Sequence, residues 1–220
     1  MTETLWIVAL SVAAYLLGAV PFGLLAGFCR GVDVRRLGSG NIGATNVFRT
    51  AGKAAGLATL LLDAAKGFTA VALLPGLAVA VGDFTPGESW RLLFGMAAVA
   101  GHNWPVYLRF KGGKGVATAT GVLLGLDPSM MLAGGLVWAL CLLLTRYVSV
   151  ASMSAALVVA GWAWVRHGTL AWSMDNALPL LTTLLAAAII FRHRSNMNRL
   201  LSGREQRITL RGKPHRQDTL

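Results

Sequence analysis

Arg35-Arg36-Leu37-Gly38-Ser39-Gly40-Asn41-Ile42-Gly43-Ala44-Thr45-Asn46-Val47-Phe48-Arg49 admits two readings, and they lead to different folds. Gly38-x-Gly40-x-x-Gly43 matches the fingerprint of a soluble dinucleotide-binding α/β protein, and Asp63 lies 20 residues beyond its last glycine. That fingerprint needs a buried strand before it and a βαβ unit around it. The residues that precede it are Val34-Arg35-Arg36-Leu37, and Asp63 falls inside an apolar run where no ribose reaches. The second reading is an anion cradle at a membrane surface. Glycines let backbone N–H groups approach a ligand, hydroxyls and amides donate, and arginine offers a fork that fits phosphate oxygens. We adopt this second reading, because long apolar runs lie on both sides of the stretch.

Composition supports it. The chain has 220 residues, 55% hydrophobic and only 13% charged, against roughly 25% charged in soluble domains. The formal net charge of +11 would suggest nucleic acid. The basic residues sit between apolar runs, however, which points to membrane orientation and excludes nucleic acid as a partner. Cys29 and Cys141 lie in or beside apolar runs with no metal-ligand spacing, so neither a metal site nor a disulfide framework is expected. Met1-Thr2-Glu3-Thr4 lacks the basic start of a signal peptide, so the first run is read as a retained span.

The apolar runs cover residues 5–28, 54–80, 90–108, 116–126, 129–145, 148–165 and 177–191. Pro21, Gly18, Gly23 and Gly27 predict a bent or closely packed first helix. Asp63 and Lys66 are three apart on one helical face and are expected to pair inside the bundle. Residues 116–126 are short: eleven residues of helix rise about 17 Å against a hydrocarbon core of about 30 Å.

Numbering the loops alternately puts seventeen of the twenty Lys and Arg residues on one side. The expected architecture is an all-α polytopic membrane protein of seven transmembrane helices, N-terminus outside and C-terminus cytoplasmic. Residues 1–201 form a single membrane domain. Residues 202–220 form a basic cytoplasmic tail whose end frays.

Four polar clusters fall on the cytoplasmic side: Ser39 to Arg49; His102-Asn103 with Lys111-Gly112-Gly113-Lys114-Gly115; Ser149 and Ser152, three apart on one face; and His193, Asn196 and Arg199, each three after the last. The Lys-Gly-Gly-Lys segment lacks the spacing of a Walker loop. Headgroup binding explains basic residues, but it does not require Ser-Gly-Asn-x-Gly-Ala-Thr-Asn. A transporter of a small phosphorylated solute would need polar groups at mid-depth and on the outer side. Only Asp63 and Lys66 lie deep, and the one-sided distribution favours an enzyme.

The segments Gly38 to Asn46, Gly101-His102 through Phe110 to Thr118, Arg146 to Ser152, and Arg192-His193-Arg194 through Leu201 resemble the bacterial acyl-phosphate:glycerol-3-phosphate acyltransferase family, PlsY. The resemblance runs from residue 15 to about 207. One departure is Asn103-Trp104-Pro105 after His102. The resemblance implies a seven-span inner-membrane enzyme that moves a fatty acyl group from acyl phosphate to the 1-hydroxyl of sn-glycerol 3-phosphate. Its products are lysophosphatidic acid and phosphate, and it begins phospholipid synthesis.

The residues are consistent with that chemistry. Acyl phosphate is already activated, and no His-x-x-x-x-Asp dyad is present. No cofactor is expected. Ser39, Lys114 and His193 are the candidate catalytic residues. Arg49, Lys114, His193 and Asn196 are assigned to the glycerol 3-phosphate, with Lys111 as a further substrate-binding cation. Ser39, Asn41, Thr45 and Asn46 are assigned to the acyl-phosphate head, and Ser149 and Ser152 to either substrate. The general base stays open between His193 and a substrate phosphate.

Overall fold

The computed structural model describes residues 3–82, 85–167 and 177–208, and every regular element among them is helical. Asp83, Asp175 and the end of the tail from residue 209 lie outside the described residues.

The first run is two helices, α1 (Glu3–Ala19) and α2 (Phe22–Phe28), broken at Val20-Pro21. Proline has no N–H to give, so the ladder stops there. The anion stretch is not all loop: α3 (Ala44–Thr50) occupies its second half. The second run is α4 (Lys53–Phe68), a π-helical turn over Thr69–Leu73, and α5 (Leu74–Gly82). Arg91 reaches into this turn, donating from Nε to the Val71 carbonyl at 2.8 Å and from Nη2 to the Gly125 carbonyl at 2.9 Å. A widened turn frees carbonyls that need such a partner.

Then follow α6 (Glu88–Asn103), α7 (Val116–Leu126), α8 (Pro128–Thr145), α9 (Val148–His167), α10 (Leu178–Arg192) and α11 (Arg194–Leu201). Each of the seven apolar runs is helical. Four helical stretches are long and apolar enough to cross a membrane: Glu3–Phe28, Lys53–Ala80, Pro128–Thr145 and Val148–His167. The expected pair is present, with Lys66 Nζ 2.8 Å from Asp63 Oδ1 and both side chains buried.

The short helix has a physical explanation. Gly121 packs on the Ala64 backbone and Gly67 on the Thr118 carbonyl. α7 therefore starts beside the middle of α4, and the Gly-Lys segment before it dips into the bundle. Small residues permit this approach, because a Cβ at either glycine would strike backbone. α1 packs on α6, α4 on α7, and α9 between α8 and α10. The main apolar core lies where α6, α7, α9 and α10 meet, around Leu92, Val122, Val159 and Leu185.

Candidate active site

One cavity of about 560 Å³ opens where the polar ends of these helices converge. Its mouth is lined by Ser39, Asn41, Thr45, Asn46, Arg49, Lys114, Ser149, Ser152, His193, Asn196, Arg199 and Glu205. Its inner limb is apolar and runs between α7, α8, α9 and α10 past Leu123, Met131, Gly134, Gly135, Trp138, Ala156, Val159 and Leu185. From Ser149 at the mouth to Val159 in the limb, both on α9, the cavity runs about 15 Å at the rise of an α-helix.

The loop of the first cluster is shaped by its own side chains. Asn46 is buried, and its amide donates to the Val34 and Leu37 carbonyls at 2.9 and 3.2 Å. Its Oδ1 accepts from Ser39 N at 2.9 Å. Asn46 is thus committed to holding the loop that presents Ser39. Gly38 has φ +59, and a Cβ there would meet the Asn46 carboxamide, so only glycine fits. Asn41 Oδ1 accepts from Gly43 N at 2.8 Å, setting the turn into α3.

The second cluster is clamped by the fourth. Arg192 donates to the Gly113 carbonyl at 2.8 and 3.0 Å and to the Gly112 carbonyl at 2.9 Å, which fixes the backbone before Lys114. Lys114 then donates to Asn196 Oδ1 at 2.6 Å. Burial pushes the Lys114 ammonium down to about 8, although the Glu205 charge acts the other way. Lys111 is exposed and does not line the cavity, so the structure separates it from the residues it was grouped with.

His193 is buried at the junction of α10 and α11. Its Nδ1 lies 2.8 Å from the Ile189 carbonyl, so Nδ1 carries the proton and Nε2 offers a lone pair. Burial pushes its pKa down to about 4, and the Lys114 charge adds to that. A neutral ring with a bare Nε2 suits a hydroxyl better than a phosphate oxygen. Ser152 accepts from Trp138 Nε1 at 3.2 Å and so joins the mouth to the apolar limb.

The site contains a carboxylate that sequence reasoning missed. Residues 202–208 fold back over the mouth, and the Glu205 side chain is 8% exposed. It accepts from Ser149 Oγ at 2.8 Å, Asn196 Nδ2 at 2.6 Å and Arg199 Nε at 2.7 Å. Burial raises its pKa, but these hydrogen bonds outweigh burial and hold it below the usual carboxylate value. Arg49 donates to the Gln206 side chain and carbonyl, both at 3.2 Å. The available signal was a lone acid between Arg204 and Arg207. Among the described residues no cluster of His, Cys, Asp and Glu could hold a metal.

A cationic mouth continuous with an apolar limb defines a membrane enzyme that joins a charged, water-soluble substrate to a lipid chain. Residues 8–203 match the model of the glycerol-3-phosphate acyltransferase family. The glycerol-3-phosphate acyltransferase of Aquifex aeolicus is 46% identical over 200 residues, covering 90% of this chain and 97% of that one. That of an Anaeromyxobacter species is 43% identical over 210 residues, covering 94% and 99%. The crystal structure of PlsY (YgiH), an integral membrane glycerol 3-phosphate acyltransferase, in its glycerol 3-phosphate form superposes with a TM-score of 0.80 at 41% identity, covering 92% of this chain and 96% of that one. The chain belongs to the glycerol-3-phosphate acyltransferase family and is an integral membrane acyltransferase of the PlsY type. The transporter reading is not favoured.

Proposed function

We propose that the chain transfers a fatty acyl group from acyl phosphate to the 1-hydroxyl of sn-glycerol 3-phosphate, giving lysophosphatidic acid and inorganic phosphate. The observation that carries this reading is a cavity whose cationic mouth is continuous with an apolar limb. Glycerol 3-phosphate and lysophosphatidic acid forms of PlsY support the acceptor and the product. We place the mouth on the cytoplasmic face of a bacterial inner membrane, with seven helices crossing and the N-terminus outside. The basic residues gathered in alternate loops support this placement.

In this mechanism Lys114, Arg49 and Asn196 hold the glycerol 3-phosphate phosphate. Ser39 and Thr45, on a loop fixed by Asn46 and Asn41, donate to the acyl-phosphate head. Ser149 completes the mouth on the Glu205 side, and Ser152 on the Trp138 side. His193 Nε2 accepts the hydroxyl proton. The attacking oxygen bonds to the acyl carbon, the bond to the phosphate oxygen breaks, and phosphate leaves with the electron pair. Holding both reactants in one cavity supplies most of the acceleration.

The test is phosphate release by purified protein from palmitoyl phosphate, with and without glycerol 3-phosphate, beside an Arg49→Ala variant. Acceptor-dependent release that collapses in the variant is expected. Release that ignores the acceptor would mean a hydrolase.

A further inference from the structure

A buried polar cluster at the inner end of the mouth has no part in the mechanism above. Lys66 Nζ lies 2.8 Å from Asp63 Oδ1, 3.1 Å from the Val20 carbonyl at the α1–α2 break, and 3.0 Å from His102 Nδ1. An ammonium has three donors and no acceptor. The Val20 carbonyl and His102 Nδ1 accept from it, while Asp63 is held as an ion pair whose Oδ1 also lies 3.4 Å from His102 Nδ1. Lys66 Nζ is the nearer of the two groups to His102 Nδ1 and can only donate, so we assign Nδ1 as an acceptor and place the ring proton on Nε2.

His102 is only 5% exposed, and that exposure is to the cavity it lines. Its Nε2 has no hydrogen-bond partner among the described residues. That nitrogen lies against Gly113, one residue before Lys114, and a Cβ on Gly113 would land on it. The ring is held from behind by Lys66, and its Nε2 is left without a hydrogen-bond partner among the described residues. The two histidines of the cavity are opposite tautomers: His193 presents a lone pair at Nε2, and His102 an N–H.

We infer that His102 is a further catalytic residue, donating Nε2–H to the carbonyl oxygen of the acyl donor. This rests on the acyl-transfer reading above. Asp63 also lines the cavity, so a phosphate dianion at this spot would be repelled. A carbonyl oxygen is uncharged before attack and gains negative charge only as the acceptor oxygen bonds to the acyl carbon. The His102 donor is strongest at that moment. On collapse the electrons return to the carbonyl and the phosphate leaves. Lys66 is the positioning residue that fixes the tautomer.

The test uses two amide variants. His102→Asn keeps an acceptor near Nδ1 for Lys66 but has no donor at Nε2. His102→Gln reaches the Nε2 position with an amide N–H. The expected result is a kcat loss of about 10²–10³-fold in His102→Asn, the range for removing one oxyanion donor. The KM for glycerol 3-phosphate and the Tm stay near wild type, and His102→Gln recovers part of kcat. Nitrogen NMR of histidine-labelled wild type should show His102 protonated at Nε2 and His193 at Nδ1. Wild-type kcat in folded His102→Asn, or a His102 proton on Nδ1, would overturn the inference. Wild-type turnover with acyl phosphate tests the proposed reaction separately. If another acyl donor proves to be the substrate, the variants are compared with that donor.

Discussion

Lys114 Nζ lies 2.6 Å from Asn196 Oδ1, joining segments 82 residues apart. Asn196 uses its other amide atom to reach Glu205. A single carboxamide therefore sits between a cation from the α7 approach and an anion from the folded-back tail. In the proposed mechanism, a substrate phosphate entering the mouth would meet a lysine already aimed and partly desolvated.

Lys114 should set an alkaline limit on acceptor binding. Its ammonium is held at about 8, so it is charged below that pH and loses its charge above it. kcat/KM for glycerol 3-phosphate, which reports the free enzyme, should fall as pH rises through about 8. Residual activity in Lys114→Arg should lack this limb, since a guanidinium stays charged. An unchanged profile in the variant would assign the limb elsewhere.

His193 should remain neutral well below the usual histidine range. Its pKa is about 4, so the folded chain resists a proton that the unfolded chain takes up from about pH 6.5 downward. Its contribution to stability is therefore complete above that value and lost as pH falls toward 4. Replacing it with alanine should lower kcat by about 10²–10⁴-fold, the range for general base catalysis, with a smaller change in KM. A variant that loses KM and spares kcat would recast His193 as a binding group.

Glu205→Ala should weaken the whole mouth. It strands donors on Ser149, Asn196 and Arg199, at a cost of about 1–3 kcal/mol for buried donors that lose an ionised partner. The expected signs are a lower Tm in detergent and a higher KM for glycerol 3-phosphate. Glu205→Gln should fall between alanine and wild type, because it keeps one acceptor oxygen. A Tm equal to wild type in the alanine variant would show that the tail does not brace the site.

Gly135 offers a handle on acyl chain length. It lines the apolar limb, and a Cβ there meets nothing closer than Met131 Sδ at 3.9 Å. Gly135→Leu should fill the limb without breaking α8, because leucine is a better helix former than glycine. Turnover with long-chain acyl phosphate should fall, and that with a short chain should be spared. Equal loss for both lengths would place the chain elsewhere.

The helices were legible because apolar runs and basic loops are properties of single segments. Asp63 and Lys66 could be paired for the same reason, since three residues on a helix fix their relation. Much of the cavity mouth was legible too, because a run of glycine, amide and hydroxyl groups between apolar spans marks a built loop. What was hidden depends on distant contacts. Asn46 looked like a ligand group until its partners proved to be Val34, Leu37 and Ser39. Lys111 and Lys114 are three apart, yet only Lys114 meets Asn196. Arg192, clamping the Gly112 and Gly113 carbonyls, gives no sign of this in its immediate neighbours. Glu205 was taken as part of a charged tail, because nothing local says that the tail returns.

The glycine contacts between helices limit how the bundle can move. Gly18 rests on the Ala98 carbonyl, Gly101 on that of Tyr15, Gly67 on Thr118 and Gly121 on Ala64. Each places a bare backbone against one particular carbonyl, so sliding by a single residue would drive a side chain into that space. The α1–α6 and α4–α7 pairs are therefore each locked in register. On the proposed reaction these locked pairs give the cavity two fixed walls, against which a soluble substrate would arrive from water and a lipid one sideways from the bilayer.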